Sequence, residues 1–271
     1  MNLNKIIIYI AFFLVFYFKS ASNDIRSIDS FFKLSEKHIE ENFEEFILSY
    51  INLKSDSTLK IFKKVASKIQ DKESREYVMI LTQISSTHSK MKDSANFERT
   101  YQSALDIANN NDYFKEKIDL YIIRAEYFKD KDLLDSALYY CLIAEEVSKK
   151  IDNYNSYRIN HILGDIYYYL EMYDEAKVCY YKVIESGDKL PTWIEWRKIV
   201  IYTDLGNIFT FQGNYQFALQ HYNIALDQYF ENKKTKSYYQ AYIQGAHLFS
   251  RIANMYFEND NLDSAKSLPV K

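Results

Sequence analysis

From about residue 118 onward, small and apolar residues recur at offsets of three, four and seven, with polar residues between them. Those offsets gather the apolar positions on one face of a helix, so the pattern predicts short amphipathic helices. Four small residues set a register: Ala125, Gly164, Gly206 and Ala253, spaced 39, 42 and 47 residues apart. Three residues after each lies an aromatic (Phe128, Tyr167, Phe209, Tyr256), and twelve after each lies an alanine (Ala137, Ala176, Ala218, Ala265). Four residues beyond the first three alanines come Cys141, Tyr180 and Tyr222; seven beyond them come Ala144, Val183 and Ala225. A small residue on each of two helices lets the backbones approach, and the aromatics fill the space beside the contact. Acids at Asp135, Asp174-Glu175 and Asp263 open the second helices, where they complement the positive end of the dipole. Gly213-Asn214 supplies a tight turn between the two helices of the clearest unit, Asp204 to Leu226. Recurrence at a near-fixed period predicts an array of helix pairs.

The pattern resembles the tetratricopeptide repeat family. Residues 199–232 carry Leu205-Gly206, Phe209, Gly213, Tyr215, Ala218, Tyr222 and Ala225-Leu226; residues 157–190 carry Leu163-Gly164, Tyr167, Tyr173, Ala176 and Tyr180. Residues 118–150 and 246–268 match at fewer positions. A degenerate unit at 78–110 keeps Tyr101 and Ala104-Leu105 but has Phe97 in place of alanine. The resemblance implies an all-α fold, an α-solenoid of antiparallel helix pairs winding as a right-handed superhelix. The spacings exceed the family's usual period, and Gly187 and Pro191 mark one lengthened connection. The implied organisation is a leader over 1–22, N-terminal helices and a degenerate repeat over 23–77, and a repeat array over 78–271 whose last repeat is incomplete.

In this family the first helices of successive repeats line a concave groove that binds protein or peptide. Transferred by register, the groove positions are Asp119, Ile122, Glu126 and Lys129 in one repeat and Arg158, His161, Asp165 and Tyr168 in the next. Thr203, Asn207 and Thr210 follow, then His247, Ser250, Asn254 and Phe257. The ligand-binding expectation rests on Arg158, His161, Asp165, Tyr168, Asn207, Thr210, His247, Asn254 and Phe257. Family members that grip a peptide's terminal carboxylate need Lys where Ile122 and Thr203 stand, which argues against that specificity here.

Composition agrees with continuous helices, because only 5 Gly and 2 Pro occur in 271 residues. The formal net charge is −3, and no basic run points to nucleic acid. Tyrosine is abundant, at 26 residues. Neighbours on a helix diverge by about 100°, so runs such as Tyr167-Tyr168-Tyr169 cannot all face the core. Some of them reach a groove or the surface. Cys141 and Cys179 read as small core residues, with a disulfide between them conceivable in an exported chain.

Residues 1–22 read as an export signal: Lys5, then an apolar run from Ile6 to Phe18, then Ser20-Ala21-Ser22. Thirteen helical residues span about 20 Å, short of a bilayer core of about 30 Å. An uncleaved segment would instead hold the chain at a membrane through residues 6–18. The expected location is the periplasm or cell envelope. No metal-ligand spacing, phosphate-binding glycine loop or nucleophile elbow is present, so neither cofactor nor catalysis is expected. Two functions fit: a non-catalytic exported scaffold, or the truncated sensor region of a membrane-bound bacterial transcriptional regulator or histidine kinase lacking its output domain. Pro269, where an aromatic should close the last repeat, suggests the truncation.

Overall fold

The computed structural model describes residues 55–186, 195–233 and 238–259. These contain ten α-helices and no strand. The helices are α1 (Ser55–Lys68), α2 (Arg75–Lys90), α3 (Ser94–Asn110), α4 (Phe114–Lys129), α5 (Leu134–Lys149), α6 (Ser156–Tyr169), α7 (Tyr173–Glu185), α8 (Glu195–Phe211), α9 (Tyr215–Lys233) and α10 (Tyr238–Glu258). Consecutive helices α1–α2, α2–α3, α5–α6, α6–α7, α7–α8, α8–α9 and α9–α10 pack on one another, as an α-solenoid of helix pairs requires. The expected export signal, the Gly187–Pro191 connection and the closing residues around Pro269 lie outside the described residues.

The chain divides into two compact units, Met1–Tyr127 and Phe128–Lys271, with the boundary inside α4. In the first, α2 packs between α1 and α3. Phe97 of α3 stacks on Tyr127 of α4 with ring centroids 3.9 Å apart, so the phenylalanine that broke the repeat pattern has become a core residue. Arg124 lies over Phe97, Tyr101 and Tyr127 and pairs with Glu98.

The second unit is built around α8, which packs on α7, α9 and α10. Ile199, Ile201, Leu205 and Ile208 are buried, and so are Thr203, Asn207 and Thr210. A helix buried round most of its girth is central to its unit. Any polar residue it carries must then find a partner within the protein. Cys141 and Cys179 are both buried and are not joined in a disulfide, and burial pushes the Cys179 thiol up to about 11.

One turn geometry recurs. Lys92, Asp132, Glu171 and Gly213 all have φ between 59° and 69°, the left-handed region. Each stands seven residues after a small buried residue: Ser85, Ala125, Gly164 or Gly206. The following N–H reaches back five residues, as in Met172 N to Tyr167 O at 2.9 Å and Asn214 N to Phe209 O at 2.8 Å. This 6→1 bond satisfies a carbonyl orphaned by the end of the first helix. The next helix then starts at once, which enforces the antiparallel pair. Only one of these four positions carries glycine, which is why the turn is faint in the sequence.

Candidate functional site

The glycine at each register position does a specific job. A Cβ on Gly164 would stand 2.5 Å from the Tyr180 ring, and a Cβ on Gly206 would collide with Tyr222. Both tyrosines are fully buried. Their rings cross beneath the first helix of the pair, and their hydroxyls emerge beside the residue after the glycine. Tyr180 donates to Asp165 Oδ1 at 3.2 Å, and Tyr222 donates to Asn207 Oδ1 at 2.8 Å. Two successive repeats thus fix their groove-position acceptors by the same device.

From these anchors a polar network spreads across the first helices of the second unit. Lys129, at the end of α4, pairs with Asp165 Oδ2 at 2.5 Å. Asn207 donates to Asp204 Oδ1 at 3.3 Å and also bonds Tyr168. Thr210 donates to the Gly206 carbonyl at 2.9 Å and lies 3.3 Å from the Tyr222 hydroxyl. Arg197 Nη1 lies 3.1 Å from His161 Nδ1, and His161 Nε2 stands 4.0 Å from Asp165 Oδ1. Arg251 of α10 acts electrostatically on Tyr168, Asp204 and Tyr222.

The two carboxyls are driven apart. Burial works against the charge on Asp165, but His161, Lys129 and the Tyr180 hydroxyl outweigh it and hold the carboxyl below the usual range. Asp204 is pushed up to about 8 by burial and then by Asp165, against the opposing pull of Arg251 and Lys129. Asp165 keeps its charge because an ammonium touches it directly. Asp204 favours its protonated form at neutral pH because burial disfavours its charge and the Asp165 carboxylate adds to that effect. Burial also drives the Tyr168 and Tyr222 hydroxyls up to about 12, so both remain donors.

Of the expected ligand-binding residues, His161, Asp165, Tyr168, Asn207 and Thr210 belong to this network. Asn207 and Thr210 are only 3% and 7% exposed, so they support the face more than they offer contact. Arg158 stands one turn before His161 and is half-buried, while His247, Asn254 and Phe257 are exposed on α10. Ile122 and Thr203, which stand where a terminal-carboxylate grip would need Lys, are buried, and Thr203 donates to the Ile199 carbonyl at 2.6 Å.

Sequence reasoning missed Asp204 and Arg251. Both stand two residues before a register residue, where the two preceding repeats have Ile123 and Ile162, each buried. An acid and then a base in a slot otherwise held by core isoleucine was the available signal. Beside the network, Tyr168, Tyr173 and Phe211 form an aromatic group, with Tyr173 and Phe211 stacked at 5.8 Å and Phe211 53% exposed.

Residues 157–186, the segment that forms α6 and α7, match the family profile described as Tetratricopeptide repeat. The chain carries a tetratricopeptide repeat. The Gly164–Tyr180 packing and the left-handed Glu171 turn are therefore features of a repeat of that family. Among solved structures, the chain is similar to the crystal structure of BtubC (BKLC) from P. vanneervenii, at 17% identity and a TM-score of 0.54. That likeness covers 75% of this chain and 89% of the other, and it shows the helical-repeat fold. No curated protein matches the chain in sequence. Repeats of this family generally mediate protein–protein interaction, which suggests an interaction scaffold. Among the described residues no cluster of His, Cys, Asp and Glu suits a metal ion, and no helix is long and apolar enough to cross a membrane.

Proposed function

We propose that the chain holds an extended peptide, or a helix of a partner protein, against the face formed by α6, α8 and α10. The observation that carries this reading is the network joining Lys129, Asp165, Tyr168, Asn207 and Asp204. Fixed polar groups at successive register positions give a ligand orientation, and exposed aromatics beside them give contact area. A face built only for stability would be served as well by apolar packing. The decisive experiment replaces Tyr168 with a photo-crosslinking phenylalanine analogue and recovers the covalent adduct from a native extract. Adducts at Tyr168 but not at Tyr139, an exposed residue of α5, support the face; equal labelling at both removes the basis for it.

We further propose that the protein works outside the cytoplasm, on the strength of residues 1–22. Recovery of a chain beginning near Asn23 from the cell envelope supports cleavage. An intact Met1 terminus in the membrane fraction supports an anchor instead.

A further inference from the structure

We infer that the aromatic group at the α6–α7 turn grips an arginine side chain of the bound protein. The inference rests on the peptide-binding reading above and names a residue class in the ligand.

Tyr168 and Tyr169 end α6, Tyr173 starts α7 and Phe211 ends α8, so successive repeats bring four rings to one edge. Tyr169 stands 5.8 Å from Tyr168 with the ring planes 80° apart, and Tyr168 meets Tyr173 at 6.1 Å and 62°. Tyr173 stacks on Phe211 at 5.8 Å and 27°. The rings therefore present faces in more than one plane. Two of them are not committed to the core, since Tyr169 is 61% and Phe211 53% exposed. Both stand five residues after a register glycine. In two earlier repeats that slot holds Lys90 and Asp130, both exposed and charged. Packing thus does not require an aromatic there, yet two successive repeats supply one.

Charge selects the occupant. The face of an aromatic ring carries negative potential and attracts a cation. The chain uses this contact elsewhere on its own surface: Lys72 lies 4.7 Å over Tyr77, Arg75 4.9 Å over Tyr113, and Lys117 4.6 Å over Phe114. Among the described residues no Lys or Arg lies over the four rings of the α6–α7 edge. Acids surround that edge. Glu171 is exposed in the turn between Tyr169 and Tyr173 and pairs with no cation among the described residues, and Asp174 and Glu175 follow it. The one base nearby in sequence, Lys177, is already held by Asp174 at 2.8 Å and lies over Phe209. Rings and carboxylates together complement a positive side chain. Arginine suits them better than lysine, because its planar, weakly hydrated guanidinium can lie flat on a ring while its edge reaches a carboxylate.

The test pans randomised dodecapeptides, displayed on phage, against the full chain. The expected pool is enriched in Arg over Lys. One selected peptide is then synthesised with arginine or with citrulline, its neutral isostere, and affinities are measured by fluorescence anisotropy. Citrulline should weaken binding to the parent by about tenfold, within the range of a cation–π contact partly removed from water. The same change should have little effect on the double variant Tyr169→Leu with Phe211→Leu, checked for folding by circular dichroism, and a reduced effect on Glu171→Gln. Peptides selected without Arg enrichment, or a citrulline loss that persists undiminished in the double variant, overturn the inference while leaving the chain a peptide binder. Failure of any peptide to be retained removes the peptide-binding reading, and this inference with it.

Discussion

Tyr180 lies so close across Gly164 that the glycine has no room for a methyl group. The ring cannot swing aside, because Tyr180 is fully buried and its hydroxyl is held by Asp165. Gly164→Ala should therefore overpack the α6–α7 contact and destabilise the protein by about 1–3 kcal/mol. In the repeat anchored on Ala125, the matching tyrosine position is Cys141, so a larger anchor goes with a smaller partner. The double variant Gly164→Ala with Tyr180→Cys should then lose less stability than its two single variants summed. Urea unfolding of all four proteins measures the coupling, and strict additivity would show that the two residues do not share one space.

The register was legible because it rests on residue size. Gly164, Gly206, Ala176 and Ala218 are small where helices must approach, and no other chemistry substitutes for smallness. The helix pairs followed from that alone. The left-handed turns were legible only at Gly213, since Lys92, Asp132 and Glu171 meet the same backbone demand without glycine. The site was legible in part. Counting from the anchors reached Asp165 and Asn207, whose acceptors the two tyrosines fix. It did not reach Asp204 or Arg251, because their roles depend on how neighbouring first helices juxtapose, and that distance is not written in either helix. Nor did it foresee that Asn207 would be almost wholly buried.

Asp204 gives the fold a pH dependence with a definite sign. Its carboxyl titrates near 3.8 when unperturbed and about 8 in the folded protein. Between those values the folded state binds more protons than the unfolded state, so stability declines as pH rises. The decline should run from about pH 4 to about pH 8, with a slope of at most about 1.4 kcal/mol per unit, and then level off. Asp165, held below its ordinary value, contributes in the opposite sense: its stabilisation is lost as pH falls below the carboxylate range. Asp204→Asn should flatten the decline and raise stability most at pH 8. Unfolding curves at pH 5 and pH 8 measure both effects. A parental slope that survives in the variant would assign the titration to another group.

Lys129 and Asp165 form a pair whose side chains are 20% and 14% exposed. Lys129→Met leaves the carboxylate buried with less compensation, which should destabilise the protein by about 1–3 kcal/mol, allowing for partial solvent screening. Adding Asp165→Asn should restore part of the loss, because an amide carries no charge to desolvate. If the double variant is no more stable than Lys129→Met alone, the pair contributes through packing and not through charge.

Gly213 takes φ of 69° with open space around its missing side chain. Gly213→Ala therefore meets no clash and isolates the backbone effect. A loss of about 1 kcal/mol is expected, from left-handed strain set against reduced freedom of the unfolded chain. Glu171→Gly, at the equivalent turn, relieves the strain and should be neutral or stabilising. The melting temperature should fall for Gly213→Ala and hold or rise for Glu171→Gly, and a fall in both would mean that side-chain contacts outweigh the turn.

Tyr168 and Asn207 separate binding from folding. Asn207 is 3% exposed, accepts from Tyr222 and donates to Asp204. Asn207→Ala strands a buried hydroxyl and should destabilise by about 1–3 kcal/mol whether or not a ligand is present. Tyr168 is only half-buried, in contact with Phe211 at the open edge of the same network. Tyr168→Ala should leave the helical signal near that of the parent, shift the melting temperature less than Asn207→Ala does, and reduce retention of the partner in a pull-down. Retention is the measurement that discriminates, because a purely structural network predicts that loss of binding tracks loss of stability across both variants. If Tyr168→Ala retains the partner at the parental level while Asn207→Ala loses it in proportion to unfolding, the network stabilises the repeat stack and the ligand sits elsewhere.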